Sequence, residues 1–150
     1  MKKILITGFT GFLGSNLIDV FSKKYELIGI THKKKSKQKI IQIQKNIRNL
    51  TINDIPNDID SIIHLAAISD IKFCNENPKE CYQTNVDGTL NMLELSRKLD
   101  AKFLFMSTSH VYGYPKKLPI PENHPTESTS IYATSKLVSE KICESYSKLY

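Results

Sequence analysis

A tyrosine and a lysine stand four residues apart near the end of the chain, in Tyr132-Ala133-Thr134-Ser135-Lys136. On a helix this spacing places the phenol and the ammonium on one face. A free tyrosine has a pKa of about 10, and a neighbouring positive charge favours its phenolate. Such a pair can deliver or remove a proton. The other interpretation is a helix with an exposed lysine, because this spacing is common by chance.

Hydroxyl side chains close the last predicted strand, in Ser107-Thr108-Ser109. In open α/β sheets the ligand crevice lies at the carboxyl ends of the strands. A hydroxyl at this place can orient a reacting carbonyl through a hydrogen bond. His110 follows directly and either orients a substrate or is a structural or solvated histidine.

A glycine-rich turn lies between the first predicted strand and the first predicted helix, in Gly8-Phe9-Thr10-Gly11-Phe12-Leu13-Gly14. Glycines let the backbone turn sharply and approach a ligand closely, while the N–H groups of the helix N-terminus attract an anion. The GxxGxxG spacing is not followed by Gly-Lys-Ser/Thr, which excludes the phosphate loop of NTPases. The turn therefore predicts pyrophosphate binding by Gly8, Thr10, Gly11, Phe12, Leu13 and Gly14, with a merely tight turn as the alternative.

The end of the second strand discriminates between the two nicotinamide dinucleotides, because an acidic residue there binds the ribose of NAD. Here this place is Thr31, followed by His32 and the lysines Lys33, Lys34 and Lys35. These cations could neutralise a 2′-phosphate, so we predict NADP, with NAD possible. A solvent-facing basic loop is the alternative, and no reader motif for nucleic acid accompanies the charge. After the third strand, Asn46 and Ile47 lie where an adenine ring could be held.

Short apolar runs alternate with longer segments of helical period, which predicts an α/β fold with parallel strands and right-handed helical crossovers. Helices are predicted over 12–24, over 78–99 and from about 130 to the end. Four prolines between 114 and 129 predict an extended loop. The predicted strands are 3–7, 26–31, 40–44, 61–66 and 102–107.

Composition limits the class of protein. The chain has 150 residues, 40% hydrophobic and 24% charged, with a net charge of +6, enough for one core. No apolar run is long enough for a membrane span or a signal peptide, so we predict a cytoplasmic protein without membrane contact. Cys74, Cys81 and Cys143 have no metal-site spacing and are predicted to be reduced thiols, with no bound metal.

Five ordered motifs together resemble the extended short-chain dehydrogenase/reductase family, the NAD(P)-dependent epimerases, dehydratases and reductases of nucleotide sugars. The resemblance covers essentially the whole chain and implies a Rossmann-like, doubly wound parallel sheet in strand order 3-2-1-4-5. It rests on the glycine turn 7–14, His64-Leu65-Ala66-Ala67, Thr84-Asn85-Val86-Asp87-Gly88-Thr89, the segment 107–113 and the segment 132–136.

The resemblance also implies roles for these residues. Thr108 would be the catalytic hydroxyl, with Ser107 as the fallback, and Tyr132 the acid/base. Lys136 would lower the pKa of Tyr132 and bind the nicotinamide ribose. Asn85 would support the site from the long helix, in which Gly88 would pack close to the sheet. The residues after strand four would line the nicotinamide side. Beyond the glycine turn and the adenosine end, the predicted cofactor-binding residues are Leu65, Ala66, Ala67, Asn85, Ser107, Tyr132 and Lys136.

Departures from the family pattern narrow the expected reaction. Dehydratases of the family carry Asp-Glu after the catalytic threonine, whereas this chain has Ser109-His110, which disfavours dehydration. The expected function is a nucleotide-sugar epimerase or a 4-keto-sugar reductase, and the segment 69–78 resembles the reductases. The alternative is a non-catalytic dinucleotide-binding module or an inactive fragment.

Chain length has a further implication through the same resemblance. Relatives are roughly twice as long, and the additional residues supply further strands and a substrate lobe. We therefore expect a single dinucleotide-binding domain over 1–150, with the substrate domain absent and apolar surface exposed where a sixth strand would pair. The resemblance also suggests a homodimer through the long helices 78–99 and 130–150.

Overall fold

Two almost continuously apolar strands lie at the centre of the sheet in the computed structural model, which describes residues 1–32 and 36–150. Strands β1 (Lys3–Thr7) and β2 (Glu26–Thr31) are buried along nearly their whole length, as expected for strands covered on both faces. The prediction for Lys33 to Lys35 lies outside the described residues.

Three further strands complete a five-stranded parallel sheet with the order β3-β2-β1-β4-β5, which confirms the predicted Rossmann-like topology. They are β3 (Ile41–Gln44), β4 (Ser61–His64) and β5 (Lys102–Phe105). Both β4 and β5 end two residues earlier than predicted. The last bond between β4 and β1 is donated by Leu65 N to Thr7 O, at 3.2 Å, because β1 then enters the glycine turn.

The sheet is doubly wound, with a separate core on each face. Helix α1 (Phe12–Phe21) packs Ile18 against Ile4 and Ile6 on one face. Alternate residues point to the opposite face, where Leu5 joins Met92 in the core. Helix α1 ends three residues earlier than predicted, because the N–H groups of Lys24 and Tyr25 both bond to Phe21 O.

The predicted long helix over 78–99 is present but not uniform. It consists of α3 (Pro78–Tyr82), a π-helical turn (Gln83–Asp87) and α4 (Gly88–Leu99). A Cβ on Gly88 would lie 2.6 Å from Ile47 Cδ1, so Gly88 packs closely against the turn that follows β3 and not, as predicted, against the sheet. A short helix, α2 (Ile71–Glu76), precedes α3.

The final helix, α5 (Ile131–Leu149), carries the predicted Tyr-Lys pair and contacts α2, α3, α4 and the π-helical turn. The Ser130 side chain caps it by accepting a hydrogen bond from Ala133 N at 3.1 Å. The proline-rich segment 114–129 contains neither helix nor strand, as predicted. No helix in the described ranges has the length and apolarity to cross a bilayer.

The prediction of reduced thiols was wrong for two of the three cysteines, because Cys74 and Cys81 form a disulfide. In a continuous helix, seven residues would separate the two Cα atoms by about 10.5 Å. The chain instead breaks at Asn77 between α2 and α3, and the Cα atoms lie 5.2 Å apart. Cys143 is a free thiol. Reduced thiols, which are typical of the cytosol, therefore no longer support the predicted cytoplasmic location, and that location stays a prediction.

Candidate active site

The glycine turn requires glycine at two of its positions. Gly8 adopts φ +69°, and a Cβ there would lie 2.8 Å from Ala66 N. A Cβ on Gly14 would lie 2.4 Å from Phe9 Cα. The turn therefore packs its own backbone against the segment that follows β4, which places the two predicted cofactor-binding segments side by side.

The outer face of this turn is open. Thr10, Gly11 and Leu13 are exposed, and Phe12 is 85% exposed. Helix α1 begins at a glycine N-cap without a side-chain cap, and no carboxylate lies in its first turn. Backbone N–H groups and the helix dipole are thus available to an anion, so these residues fit the pyrophosphate of a dinucleotide.

A directed chain of hydrogen bonds runs inward from the segment after β4. Ala66 N donates to Thr7 Oγ1 at 3.1 Å, and the Thr7 hydroxyl lies 2.7 Å from His64 Nδ1. His64 Nε2 lies 3.1 Å from Thr89 Oγ1, which donates to Asn85 O at 2.6 Å. Because the single Thr89 proton is used on Asn85, the Thr89 oxygen accepts from Nε2–H. Nδ1 is then an acceptor, and Thr7 donates to it.

Burial keeps His64 neutral. The ring is 1% exposed, and desolvation, with a smaller contribution from the charge of Lys136, lowers the pKa of His64 to about 3. The sequence analysis gave no role to His64, Thr7 or Thr89. The available signal was a histidine at the end of an otherwise apolar, buried strand, since such a polar group must be hydrogen-bonded.

Asn85 connects this row of hydrogen bonds to α5, the helix that carries Tyr132 and Lys136. Its side chain accepts from Ile68 N at 2.8 Å and donates to Ile68 O at 3.0 Å and to Ser135 Oγ at 2.9 Å. Its own carbonyl accepts from Ser139 Oγ at 3.0 Å. The π-helical turn that contains Asn85 thus ties the segment after Leu65-Ala66-Ala67 to α5.

Thr108 caps the 3-10 turn Ser109–Tyr112 that follows β5. Its Oγ1 accepts a hydrogen bond from His110 N at 3.3 Å, which leaves the hydroxyl proton of Thr108 free to donate elsewhere. The exposed His110 ring stands edge-on to Tyr132, with ring centroids 6.2 Å apart. This contact joins the turn that begins at Thr108 to the start of α5.

Tyr132 and Lys136 are both buried, at 8% and 3% exposed. Tyr132 packs against the Cys74–Cys81 disulfide, and Lys136 Nζ lies 4.0 Å from the centroid of the Phe105 ring. Burial lowers the pKa of Lys136 to about 8, partly opposed by Cys143 and Glu140. The alternative of an exposed surface lysine is thereby excluded.

Ser107, the fallback hydroxyl, is already engaged. Its Oγ donates to the Glu140 carboxylate on α5. Ser107 is therefore less available than Thr108 to a ligand. The sequence analysis did not identify Glu140, although its position four residues after Lys136 places both on one helix face.

The adenosine end of the predicted site is only partly formed by side chains. Thr31 is buried, while His32 is exposed. The Asn46 side chain accepts from Arg48 N at 2.9 Å, and Ile47 is buried in the core. The side chains of Asn46 and Ile47 thus have structural partners, and their backbone is what an adenine could contact.

A doubly wound parallel sheet whose first βα turn offers free N–H groups beside a polar strand-end cluster defines a nucleotide-binding α/β domain. Comparison with known proteins makes the class specific. The chain belongs to the NAD dependent epimerase/dehydratase family, whose sequence model matches residues 4–150.

Relatives with different reactions match this chain. UDP-glucuronic acid decarboxylase 5 of Arabidopsis thaliana is 36% identical, over 96% of this chain and 46% of the relative. UDP-glucose 4-epimerase of Neisseria meningitidis serogroup C is 31% identical, over 99% of this chain and 49% of the relative. The solved structure of UDP-glucose 4-epimerase from Bifidobacterium longum in complex with NAD+ and UDP is 29% identical, with a TM-score of 0.85 over 96% of this chain and 48% of that chain. This chain spans about half the length of the curated relatives it matches.

Proposed function

We propose that this chain is the dinucleotide-binding domain of an enzyme that epimerises a nucleotide sugar or reduces a 4-keto sugar. The contact between His110 and Tyr132 carries the proposal, because it brings the Thr108 turn against the helix with Tyr132 and Lys136. Family membership supports it. The substrate domain would correspond to the half of the relatives that this chain does not span.

Side chains and backbone around the glycine turn would hold the dinucleotide. The N–H groups at the start of α1 would bind the pyrophosphate, and Ala66 and Ala67 would line the nicotinamide side. When bound, the dinucleotide supplies hydride transfer to or from a sugar carbon. His32 and Lys33 would pair with a 2′-phosphate, so we propose NADP, with NAD as the alternative.

Proton transfer would fall to Tyr132. Its phenol would give a proton to the reacting sugar oxygen or take one from it, and the positive charge of Lys136 on the same helix face would favour the phenolate. The Thr108 hydroxyl would donate a second hydrogen bond to that oxygen. Buried Lys136 has a pKa of about 8, so its charge, and with it the turnover, is expected to fall as the pH rises through 8.

Residues of this chain only partly discriminate between epimerase and reductase. An epimerase and a decarboxylase match it at comparable identity, so the same N-terminal half accommodates different reactions at the sugar. Ser109-His110 still disfavours dehydration, and the segment 69–78 favours reduction. A non-catalytic dinucleotide-binding module is the second candidate, because the open glycine turn alone would suffice to hold a dinucleotide.

Cofactor titration tests the first part of this proposal. We expect NADPH, followed by its own fluorescence, to bind more tightly than NADH. His32→Ala combined with Lys33→Ala should weaken NADPH binding and leave NADH binding unchanged. Equal binding of the two dinucleotides would contradict the assignment of NADP, and no binding of either would contradict the dinucleotide site itself.

Substitution of the phenol separates catalysis from binding. In a chain that turns over a nucleotide sugar, Tyr132→Phe should lower kcat at least about 100-fold and leave dinucleotide binding unchanged. Tyr146→Phe on the same helix is the matched control and should keep full turnover. Full turnover by Tyr132→Phe would overturn the proposed chemistry. Dinucleotide binding without any turnover by the wild type would favour the non-catalytic module.

A further inference from the structure

We propose that Glu140 is a positioning residue of this site, whose carboxylate anchors Ser107 and compensates the buried charge of Lys136. No catalytic step is assigned to Glu140 itself. Any effect of Glu140 on turnover rests on the proposed function. Its interactions with Ser107 and Lys136 are present in the chain without cofactor or substrate.

The first interaction crosses from the sheet to the helix. Ser107 follows β5 and immediately precedes Thr108, and its hydroxyl donates to the carboxylate of Glu140, 33 residues later in the chain. Glu140 stands one helical turn after Lys136 and two turns after Tyr132 on α5. One side chain therefore fixes the carboxyl end of β5, with its hydroxyl, relative to the helix with the phenol and the ammonium.

The second interaction is electrostatic. Lys136 is 3% exposed, with its ammonium over the Phe105 ring, and burial of an unpaired charge is costly. Within the described part of the chain, Lys136 interacts electrostatically with Cys143 and Glu140 on α5 and with His64 on β4, and Tyr132 lies one helical turn before it on α5.

Only Glu140 offers a compensating negative charge among these groups. Burial raises the pKa of the Cys143 thiol to about 11, which keeps it neutral at pH 7. Burial lowers the pKa of His64 to about 3, so the imidazole is neutral as well. The phenol of Tyr132 exchanges its proton in the proposed reaction and cannot be a permanent counter-charge. Removing the Glu140 charge should therefore leave Lys136 uncompensated.

Replacing the Glu140 carboxylate by an amide of the same shape tests the proposal in the chain without ligands. Glu140→Gln keeps an acceptor for Ser107 but loses the charge, so the pKa of Lys136, followed by NMR of its side-chain nitrogen and ε-carbon, should fall by about one unit or more. Glu144→Gln is the matched control. It lies one turn further along α5, is about half exposed and pairs with Lys141 at 3.0 Å, so it should leave Lys136 unchanged. An unchanged Lys136 in Glu140→Gln, or an equal shift in both variants, would overturn the proposal.

If Glu140→Gln unfolds during the titration, a double-mutant cycle of Tm values with Lys136→Met gives a second test. If the loss of Tm comes from an uncompensated Lys136, adding Lys136→Met should recover part of that loss. Losses that simply add in the double variant would mean that the two side chains are uncoupled and would contradict the proposal. Absence of dinucleotide binding would overturn the proposed function and leave both of these measurements unaffected.

Discussion

His64 shows how a single residue determines both geometry and electrostatics. Its ring accepts from Thr7 and donates to Thr89, so one tautomer satisfies both neighbours. A second proton on Nδ1 would meet the hydroxyl proton of Thr7. The same ring holds Thr7 in place to receive the N–H of Ala66, and Ala66 approaches the glycine turn most closely. Protonation of His64 would therefore displace Thr7 and, through it, Ala66, which belongs to the proposed cofactor site.

We expect the stability of this chain to fall in mild acid because of His64. An unfolded histidine takes up a proton near pH 6.5, whereas His64 in the folded chain does so only near pH 3. Its contribution is fully present above pH 6.5 and is lost as the pH falls towards 3. Urea unfolding should show the free energy of unfolding dropping by about 2 kcal/mol between pH 6.5 and 5.

Two variants separate His64 from the other titrating groups. His64→Gln should flatten the pH dependence in this window, although the variant is less stable at pH 7. His32→Gln removes an exposed imidazole and should keep the wild-type slope. A slope that His64→Gln does not change would refute the assignment.

The candidate site was predictable where a residue type and its spacing carry the chemistry, as for Thr108, Tyr132 and Lys136. It was not predictable where the partner is distant in sequence. The bond from Ser107 to Glu140 and the bond from Asn85 to Ser135 depend on how α5 packs, and no local pattern records that packing. Residue type and spacing therefore indicate the groups proposed to react more readily than the groups that hold them in place.

At the scale of elements, the glycine turn needs both a special backbone conformation and an open outer face. Substitutions at Gly8 and Gly11 test these two requirements separately. Gly8 needs a positive φ and close approach to Ala66, whereas Gly11 has φ −78°, and a Cβ there would meet only Gly8 O at 3.3 Å. Gly8 therefore serves the fold of the turn. Gly11, exposed at the helix N-cap, serves the open face towards a ligand.

We predict that Gly8→Ala costs at least about 2 kcal/mol of unfolding free energy, because it adds left-handed strain to a backbone clash. Gly11→Ala should cost less than about 1 kcal/mol, since its backbone conformation suits alanine. Denaturant melts of the two variants and the wild type measure both values. Equal stability of the two variants would contradict the role given to the positive φ of Gly8.

The five strands and the three longest helical segments were predicted from the sequence, because apolar runs of five or six residues and helical segments of period 3.6 differ clearly in β1, β2 and α1. The short helix α2 was not predicted. Element boundaries and helix interruptions were not predicted either. The break at Asn77 juxtaposes Cys74 and Cys81, and the π-helical turn aims Asn85 at Ile68. The break has a local signal, because Asn77 precedes Pro78 and the residue before a proline is disfavoured in a helix. The contact between the two cysteines and the contact of Asn85 with Ile68 join residues that no local pattern pairs.

At the scale of the whole molecule, the edge of the sheet formed by β5 leaves apolar side chains exposed to solvent. Strand β5 is an edge strand, and Leu104 on it and Met106 directly after it are 51% and 38% exposed. On the other face of β5, a cavity of about 660 Å³ lies between Phe103, Phe105 and Tyr146. Exposed strand edges with apolar neighbours promote association with other chains. The relatives extend to about twice the length spanned here, and this edge is where further strands would add.

This uncovered edge predicts that the 150-residue chain associates with itself as its concentration rises. Sedimentation should detect species larger than 17.1 kDa at about 100 µM, because an open edge offers unpaired N–H and C=O groups beside apolar side chains. Leu104→Lys should shift the distribution towards the monomer, since a lysine on an edge strand opposes pairing. Ile41→Lys is the matched control on the opposite edge strand, where Ile41 is equally exposed at 52%. If Ile41→Lys disperses the chain as effectively as Leu104→Lys, association does not depend on β5, and a dimer through α4 and α5 becomes the better account.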